Sequence, residues 1–244
     1  TLKEITDKLQ LPFIFKASYD KANRTSLAGY RGPGADPGLK ILSRIKARYD
    51  IPLLSDVHRF EELDQAVEVL DLVQIPAFLC RQTDFVMAAA ARARALNIKK
   101  GQFLAPWDVK YVIEKAEAAG AQNILVTERG TCFGYNNLVA DMRSLPIMRG
   151  LGYPVVFDAT HSVQLPGGMG TASGGQREMI PYLARAAVAV GVDGLFFEVH
   201  PDPDQARCDG PNTLRLGDLE ELLKDLLAID GLVKRRSREG QTDR

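Results

Sequence analysis

Apolar residues in this chain come in short unbroken runs that close on a polar or charged side chain, and longer stretches with apolar positions three or four apart lie between them. The runs are Phe13-Ile14-Phe15, Pro52-Leu53-Leu54-Ser55-Asp56, Leu72-Val73-Gln74-Ile75-Pro76, Asn97-Ile98-Lys99, Ile124-Leu125-Val126-Thr127-Glu128-Arg129, Pro154-Val155-Val156-Phe157 and Gly194-Leu195-Phe196-Phe197-Glu198. A run that is continuous rather than alternating predicts a strand covered on both faces, as in a parallel sheet. Helical periods fall over residues 2–9, 39–49, 61–70, 85–96, 109–119, 138–148, 176–190 and 219–232.

Strands that alternate with helices at this spacing specify βα units and an α/β fold. The strand ends choose between an open sheet and a barrel. Lys16, Asp56, Gln74, Lys99, Arg129, His161 and Glu198 stand at or just past the C-terminal edges of the seven runs. In an open sheet a ligand meets mainly the strands beside the switch point, whereas in a TIM barrel every strand end opens on one mouth. A (β/α)8 TIM barrel is therefore expected, as a single domain over residues 1–233. A charged tail, frayed and opened by Lys234-Arg235-Arg236, is expected over residues 234–244. Seven strands are one short of eight, and the chain opens on a helix, so the first strand is expected to precede Thr1.

Composition narrows the class. The 31 basic and 31 acidic residues cancel, which argues against a nucleic-acid-coating or membrane-surface protein, since both need a basic excess. No apolar run is long enough to span a bilayer, and the first residues lack the basic-then-apolar order of a secretory signal. Cys80, Cys132 and Cys208 are odd in number and far apart, which fits a reducing, cytoplasmic setting rather than a disulfide framework.

Two chemical groups emerge from the strand ends. Lys16, Lys99 and Arg129, joined by Lys21, Arg24 and Arg81 just past strand ends, form a local cationic set in a neutral protein. Arg offers bidentate donors and Lys a compact charge, so the set suits phosphate and carboxylate ligands. His161, one of only three histidines, joins Glu198 and Asp209 in the second group. One imidazole and two carboxylates serve equally as divalent-metal ligands or as an acid/base set, and spacing leaves both open.

Longer segments carry a resemblance. The runs Phe15-Lys16-Ala17-Ser18-Tyr19-Asp20-Lys21-Ala22-Asn23-Arg24, Ser55-Asp56-Val57-His58, Gln74-Ile75-Pro76-Ala77-Phe78-Leu79-Cys80-Arg81-Gln82-Thr83-Asp84, Lys99-Lys100-Gly101-Gln102-Phe103-Leu104-Ala105-Pro106, Phe133-Gly134-Tyr135-Asn136-Asn137-Leu138, Asp158-Ala159-Thr160-His161 and His200-Pro201-Asp202-Pro203 closely resemble the 3-deoxy-D-manno-octulosonate 8-phosphate synthases. The likeness extends over residues 13–232. It implies a (β/α)8 barrel, usually a homotetramer, that condenses phosphoenolpyruvate with D-arabinose 5-phosphate and water and releases phosphate, on the route to the inner sugar of lipopolysaccharide. No organic cofactor is implied.

Position by position, the resemblance assigns phosphoenolpyruvate to Lys16, Lys21, Gln74, Lys99 and Arg129, and the sugar phosphate to Asn23, Arg24 and the hydroxyl beside them. Family members usually have serine at that last position, where this chain has Thr25, which keeps the hydroxyl and adds a methyl. Arg81 is implied to reach in from a neighbouring subunit, and Asp56 and Gln164 lie near the sugar. His161, Glu198 and Asp209 match three of the four positions around the divalent metal in metal-using members. The fourth, cysteine or asparagine on the first strand, lies before Thr1. Cys80, Cys132 and Cys208 do not stand there and read as small loop residues. Leu104-Ala105-Pro106-Trp107 and Leu165-Pro166-Gly167-Gly168 look more like the metal-dependent branch. Lys99 is the candidate proton donor near the reacting carbons, and with His161 and Asp209 completes the catalytic set.

Rival readings are the sister 3-deoxy-D-arabino-heptulosonate 7-phosphate synthesis on erythrose 4-phosphate, a Schiff-base aldolase on Lys16 or Lys99, and an inactive phosphosugar-binding barrel. The run Lys21-Ala22-Asn23-Arg24 argues against the sister reaction, whose family usually differs there.

Overall fold

In a computed structural model, residues 1–168, 170 and 173–239 are described, the last five without their side chains. The chain divides into two compact units, Thr1–Val126 and Thr127–Arg244.

In the first unit α1 (Leu2–Lys8) precedes β1 (Phe15–Lys16), and βα repeats follow. They are α2 (Ala35–Tyr49), β2 (Leu53–Asp56), α3 (Leu63–Val69), β3 (Leu72–Ile75), α4 (Thr83–Ala90), β4 (Leu96–Lys99), α5 (Val109–Ala118) and β5 (Ile124–Glu128), whose last two residues open the second unit. β1 pairs with β2, β2 with β3 and β3 with β4, all in parallel, and β5 follows β4. Every residue of β2, β3 and β4 is buried, as the continuous apolar runs predict. The registers set Asp56 opposite Gln74, and Gln74 opposite Asn97. Three polar residues thus lie side by side across neighbouring strands.

In the second unit the end of β5 leads to α6 (Ser144–Arg149), β6 (Val155–Asp158), α7 (Ile180–Val190), β7 (Gly194–Phe196) and α8 (Leu216–Glu239). β6 and β7 are parallel, with Asp158 opposite Phe196. Phe157, Leu145, Met148 and Ile180 form a fully buried core. Leu219, Leu222 and Leu226 are the buried face of α8, which packs against α7.

Parallel strands taken in chain order, each followed by a helix, are the repeat of a TIM-barrel-like fold, so the α/β class expected from the sequence holds. Seven such strands are found among the described residues.

Several boundaries differ from the periodic reading. The helix expected over 85–96 ends at Ala90, because the Leu96 N–H donates instead to the Asn123 carbonyl at 2.8 Å and begins β4. Sheet pairing overrides the alanine-rich helical propensity there. The helix expected over 138–148 shrinks to α6. Leu138–Val139 instead pairs antiparallel with Thr131–Cys132, around a turn containing Gly134 and Asn136, both at positive φ. α7 begins at Ile180 after a 3-10 turn, Arg177–Met179. α8 runs past the expected Leu232 to Glu239, and residues 240–244 of the expected tail lie outside the described residues. Among the described residues no helix is long and apolar enough to cross a membrane.

Candidate active site

In the first unit, strand ends and the loop after β1 build a charged network. Lys16 ends β1 and Asp56 ends β2, and their side chains meet at 3.0 Å, only 12% and 10% exposed. Ser18 lies between them, accepting from Lys16 Nζ at 2.7 Å and donating to Asp56 Oδ1 at 2.6 Å. His58 Nε2 approaches the other Asp56 oxygen at 3.0 Å. Burial opposes the Asp56 charge, yet the Lys16 ammonium, the His58 hydrogen bond and the Lys21 charge hold its carboxyl well below the usual carboxylate range.

Glu62 supports this network through His58 and Tyr19. Its Oε2 accepts the His58 backbone N–H and the Tyr19 hydroxyl, both at 3.0 Å. Burial, then the Glu62 charge, pushes the Tyr19 phenol far above its ordinary value and keeps it a donor. Tyr19 also closes the base of the loop that carries Lys21, Asn23, Arg24 and Thr25. The Gly34 N–H donates to the Tyr19 carbonyl at 3.0 Å, and the Lys21 N–H donates to the Arg31 carbonyl at 2.6 Å. Gly32 is required there, since φ is +111° and a Cβ would stand 2.6 Å from the Tyr19 oxygen. Asn23 and Thr25 are exposed and Arg24 half-buried. Gln74 accepts from Asn97 Nδ2 at 2.9 Å in the buried row set by strand register. Lys99 ends β4 nearly buried, whereas Arg81 is exposed just before α4.

The second unit gathers the imidazole and the carboxylates. His161 begins a 3-10 turn, His161–Val163, just past β6. Its Nδ1 lies 2.8 Å from Asp158 Oδ2 and its Nε2 3.4 Å from Glu198 Oε2. Glu198 follows β7, and Asp209 sits in a left-handed backbone conformation, φ +56°, before a 3-10 turn, Gly210–Asn212. One donor atom from each of His161, Glu198 and Asp209 lies within 4.8 Å of the others.

Gln164 couples this set to Arg129. The Arg129 guanidinium donates to Gln164 Oε1 and to the His161 carbonyl, both at 2.9 Å, and Gln164 Nε2 donates to Asp209 Oδ1 at 3.1 Å. Burial lowers the pKa of Arg129, while Asp158, Asp209 and Glu128 oppose that shift.

A family model described as the DAHP synthetase I family matches residues 1–235. The chain belongs to the DAHP synthetase I family. Within it, the chain is 62% identical over 233 residues to a protein of Geotalea daltonii named 2-dehydro-3-deoxyphosphooctonate aldolase, covering 96% of this chain and 86% of that one. Proteins of the same name from Desulfosudis oleivorans and Geobacter metallireducens are 64% identical over 229 residues and 61% over 233. These alignments cover 93% and 96% of this chain, and 82% and 86% of the relatives.

In this member of the DAHP synthetase I family the donor set fits a divalent cation. Two carboxylates bring negative charge, and Asp158 on Nδ1 leaves the Nε2 side of His161 turned toward Glu198. Of the residues singled out from sequence, Lys16 with Asp56 and His161 with Glu198 and Asp209 come together, as does Gln164 with both Arg129 and Asp209. Sequence reasoning missed Ser18, His58 and Asn97 as partners. The signal for His58 was available: Asp56 and His58 are two apart at a strand end, which sends both side chains to one side.

Proposed function

We propose that the chain condenses phosphoenolpyruvate with D-arabinose 5-phosphate and water to give 3-deoxy-D-manno-octulosonate 8-phosphate and phosphate, a step of lipopolysaccharide inner-sugar synthesis. The observation that carries this is identity of 60 to 64% to proteins named 2-dehydro-3-deoxyphosphooctonate aldolase across at least 93% of the chain. The protein is an aldol-type carbon–carbon bond-forming enzyme, and a cytoplasmic location belongs to the same reading.

The residues divide the work by unit. In the first, Lys16, Lys21, Gln74 and Lys99 hold phosphoenolpyruvate, Asn23, Arg24 and Thr25 the sugar phosphate, and Asp56 the sugar hydroxyls. Holding two anions in register is positioning work, and ammonium and guanidinium groups carried by strand ends and the loop after β1 are suited to it. The methylene carbon of phosphoenolpyruvate attacks the sugar aldehyde, and water adds at the neighbouring carbon, which acquires oxocarbenium character, giving up a proton; the hemiketal phosphate so formed then breaks its C–O bond to release phosphate and leave the ketone. Lys99 donates the proton that the aldehyde oxygen takes up. In the second unit Arg129 binds carboxylate or phosphate oxygens, and Gln164 orients sugar and water.

His161, Glu198 and Asp209 would hold the divalent ion. A cation held there would polarise the aldehyde or orient the attacking water. Asp158 keeps the His161 ring in the orientation that presents Nε2. The same reading includes a homotetramer in which Arg81 reaches a neighbouring copy. Its support is the exposure of Arg81 and of the apolar Phe78, at 53%, three residues earlier.

Phosphate release is the test, measured with phosphoenolpyruvate and arabinose 5-phosphate before chelation, after it, and with divalent metal restored. Turnover with arabinose 5-phosphate far above that with erythrose 4-phosphate is expected. Comparable turnover on both sugars moves the chain to the sister reaction, a borohydride-trapped adduct indicates a Schiff base, and silence with every combination leaves only a binding barrel.

A further inference from the structure

The three residues of the donor set come from three separate segments of the second unit, and one buried point joins them. Thr160, fully buried, stands immediately before His161. Its hydroxyl donates to Asp158 Oδ1 at 3.1 Å, the same oxygen that accepts the His161 backbone N–H at 2.8 Å. That hydroxyl also accepts the Glu198 backbone N–H at 3.0 Å. The Thr160 carbonyl in turn accepts from Nδ2 of Asn212 at 3.2 Å. Asn212 ends the 3-10 turn that follows Asp209, is fully buried, and donates its own N–H to the Asp209 carbonyl at 3.1 Å.

The turn is held from its other side as well. Thr213 Oγ1 donates to the Asp209 carbonyl at 2.7 Å, and the Arg177 guanidinium donates to the Gly210 carbonyl at 2.7 Å. Asn212 fits because residue 175 is glycine, where a Cβ would fall 2.6 Å from the Asn212 Cβ. Neither Thr160 nor Asn212 belongs to the donor set, yet each donor segment is tied to their hydrogen bonds.

We propose that Thr160 and Asn212 are positioning residues that set the spacing of His161, Glu198 and Asp209, and so the site's hold on a cation and on the reacting aldehyde. This rests on the reading given under the proposed function. Hydrogen bonds behind a ligand set orient it without touching the bound group, and losing one commonly costs ten- to a hundredfold in affinity or activity. Thr160 occupies the position where one hydroxyl serves two segments at once. A nearly isosteric valine keeps the volume and deletes both bonds, whereas serine keeps both.

The test compares Thr160→Val, Thr160→Ser and Asn212→Ala with the wild-type chain in two assays. The first titrates metal-stripped protein with Co2+ alone, read by its visible absorption. The second measures kcat and KM from phosphate release, with circular dichroism confirming the fold. Thr160→Val and Asn212→Ala are expected to weaken Co2+ binding at least tenfold and to lower kcat at least tenfold. KM for phosphoenolpyruvate should move less than threefold, and Thr160→Ser should stay within threefold of wild type throughout. Wild-type Co2+ affinity and kcat in Thr160→Val and Asn212→Ala overturn the proposal, as does a Thr160→Ser as impaired as the valine variant. If either variant fails to fold, Gly175→Ala, which displaces Asn212 without removing a hydrogen-bonding group, carries the same expectation. A wild-type chain that turns over without taking up Co2+ removes the metal and leaves the kcat comparison to decide. One that binds Co2+ without turnover removes the proposed reaction and leaves the Co2+ arm to decide. One that does neither overturns the proposal with the reading beneath it.

Discussion

The Asp158 carboxylate lies 2.8 Å from Nδ1 of His161 and is itself completely buried. That buried carboxylate faces one ring nitrogen, and the other, Nε2, is turned toward Glu198 at 3.4 Å. The imidazole is therefore oriented before any ligand arrives, and its orientation depends on a residue three positions earlier at the end of β6.

Replacing that carboxylate by an amide tests the arrangement. Asp158→Asn keeps the shape and removes the charge that holds the ring, so kcat/KM for condensation is expected to fall ten- to a hundredfold. Co2+ titration of the same variant should show weaker uptake. Unchanged values in both assays would place His161 outside the chemistry.

The Lys16–Asp56 pair makes a prediction about stability and its pH dependence. Asp56→Ala removes the counter-charge of a largely buried ammonium and should destabilise the fold by about 3 kcal/mol in urea unfolding. In the folded chain Asp56 ionises at lower pH than the unfolded value of about 3.9. Between those two values the unfolded state binds more protons, so stability rises with pH. The contribution of Asp56 is complete above the unfolded value and is lost as pH falls through the lowered folded one. Asp20, whose carboxyl is lowered first by the Arg31 hydrogen bond, adds a similar dependence that the Asp56→Ala variant retains. Unfolding free energies measured from pH 7 down to acid should therefore converge for wild type and Asp56→Ala, and parallel curves would sink the assignment.

Gln164 is an amide where only an amide satisfies both neighbours, accepting from Arg129 and donating to Asp209. Gln164→Glu sets a second carboxylate about 3 Å from Asp209, where like charges repel. It also gives Arg129 a permanent carboxylate partner that competes with an anionic substrate. A rise in KM for phosphoenolpyruvate and a kcat at least tenfold lower are expected, whereas Gln164→Met should lose less. A glutamate variant as active as the methionine variant would show that repulsion from Asp209 and competition at Arg129 carry no weight.

Much of this architecture was legible along the chain. The apolar runs located β2, β3 and β4 to within a residue or so, because a strand covered on both faces draws most of its residues from the apolar set. The misread stretches were those where local pattern and long-range pairing disagreed. Residues 91–96 look like more helix until Leu96 finds Asn123 in the sheet, and Leu138 looks helical until it pairs with Cys132. Asn97 passed unnoticed because a single asparagine in a strand says nothing until the register sets it opposite Gln74.

By itself the sequence determined the βα alternation, the polar residue at each strand end and the chemical character of both sets, since these follow from composition within a few residues of each position. Only the tertiary structure decided which of those side chains meet. Ser18 joins Asp56 from 38 residues away, Gln164 reaches Asp209 across 45, and Asn212 closes on Thr160 across 52. Separations of that kind are set by strand register and by the course of the loops, and hydrogen bonds between distant segments fix both.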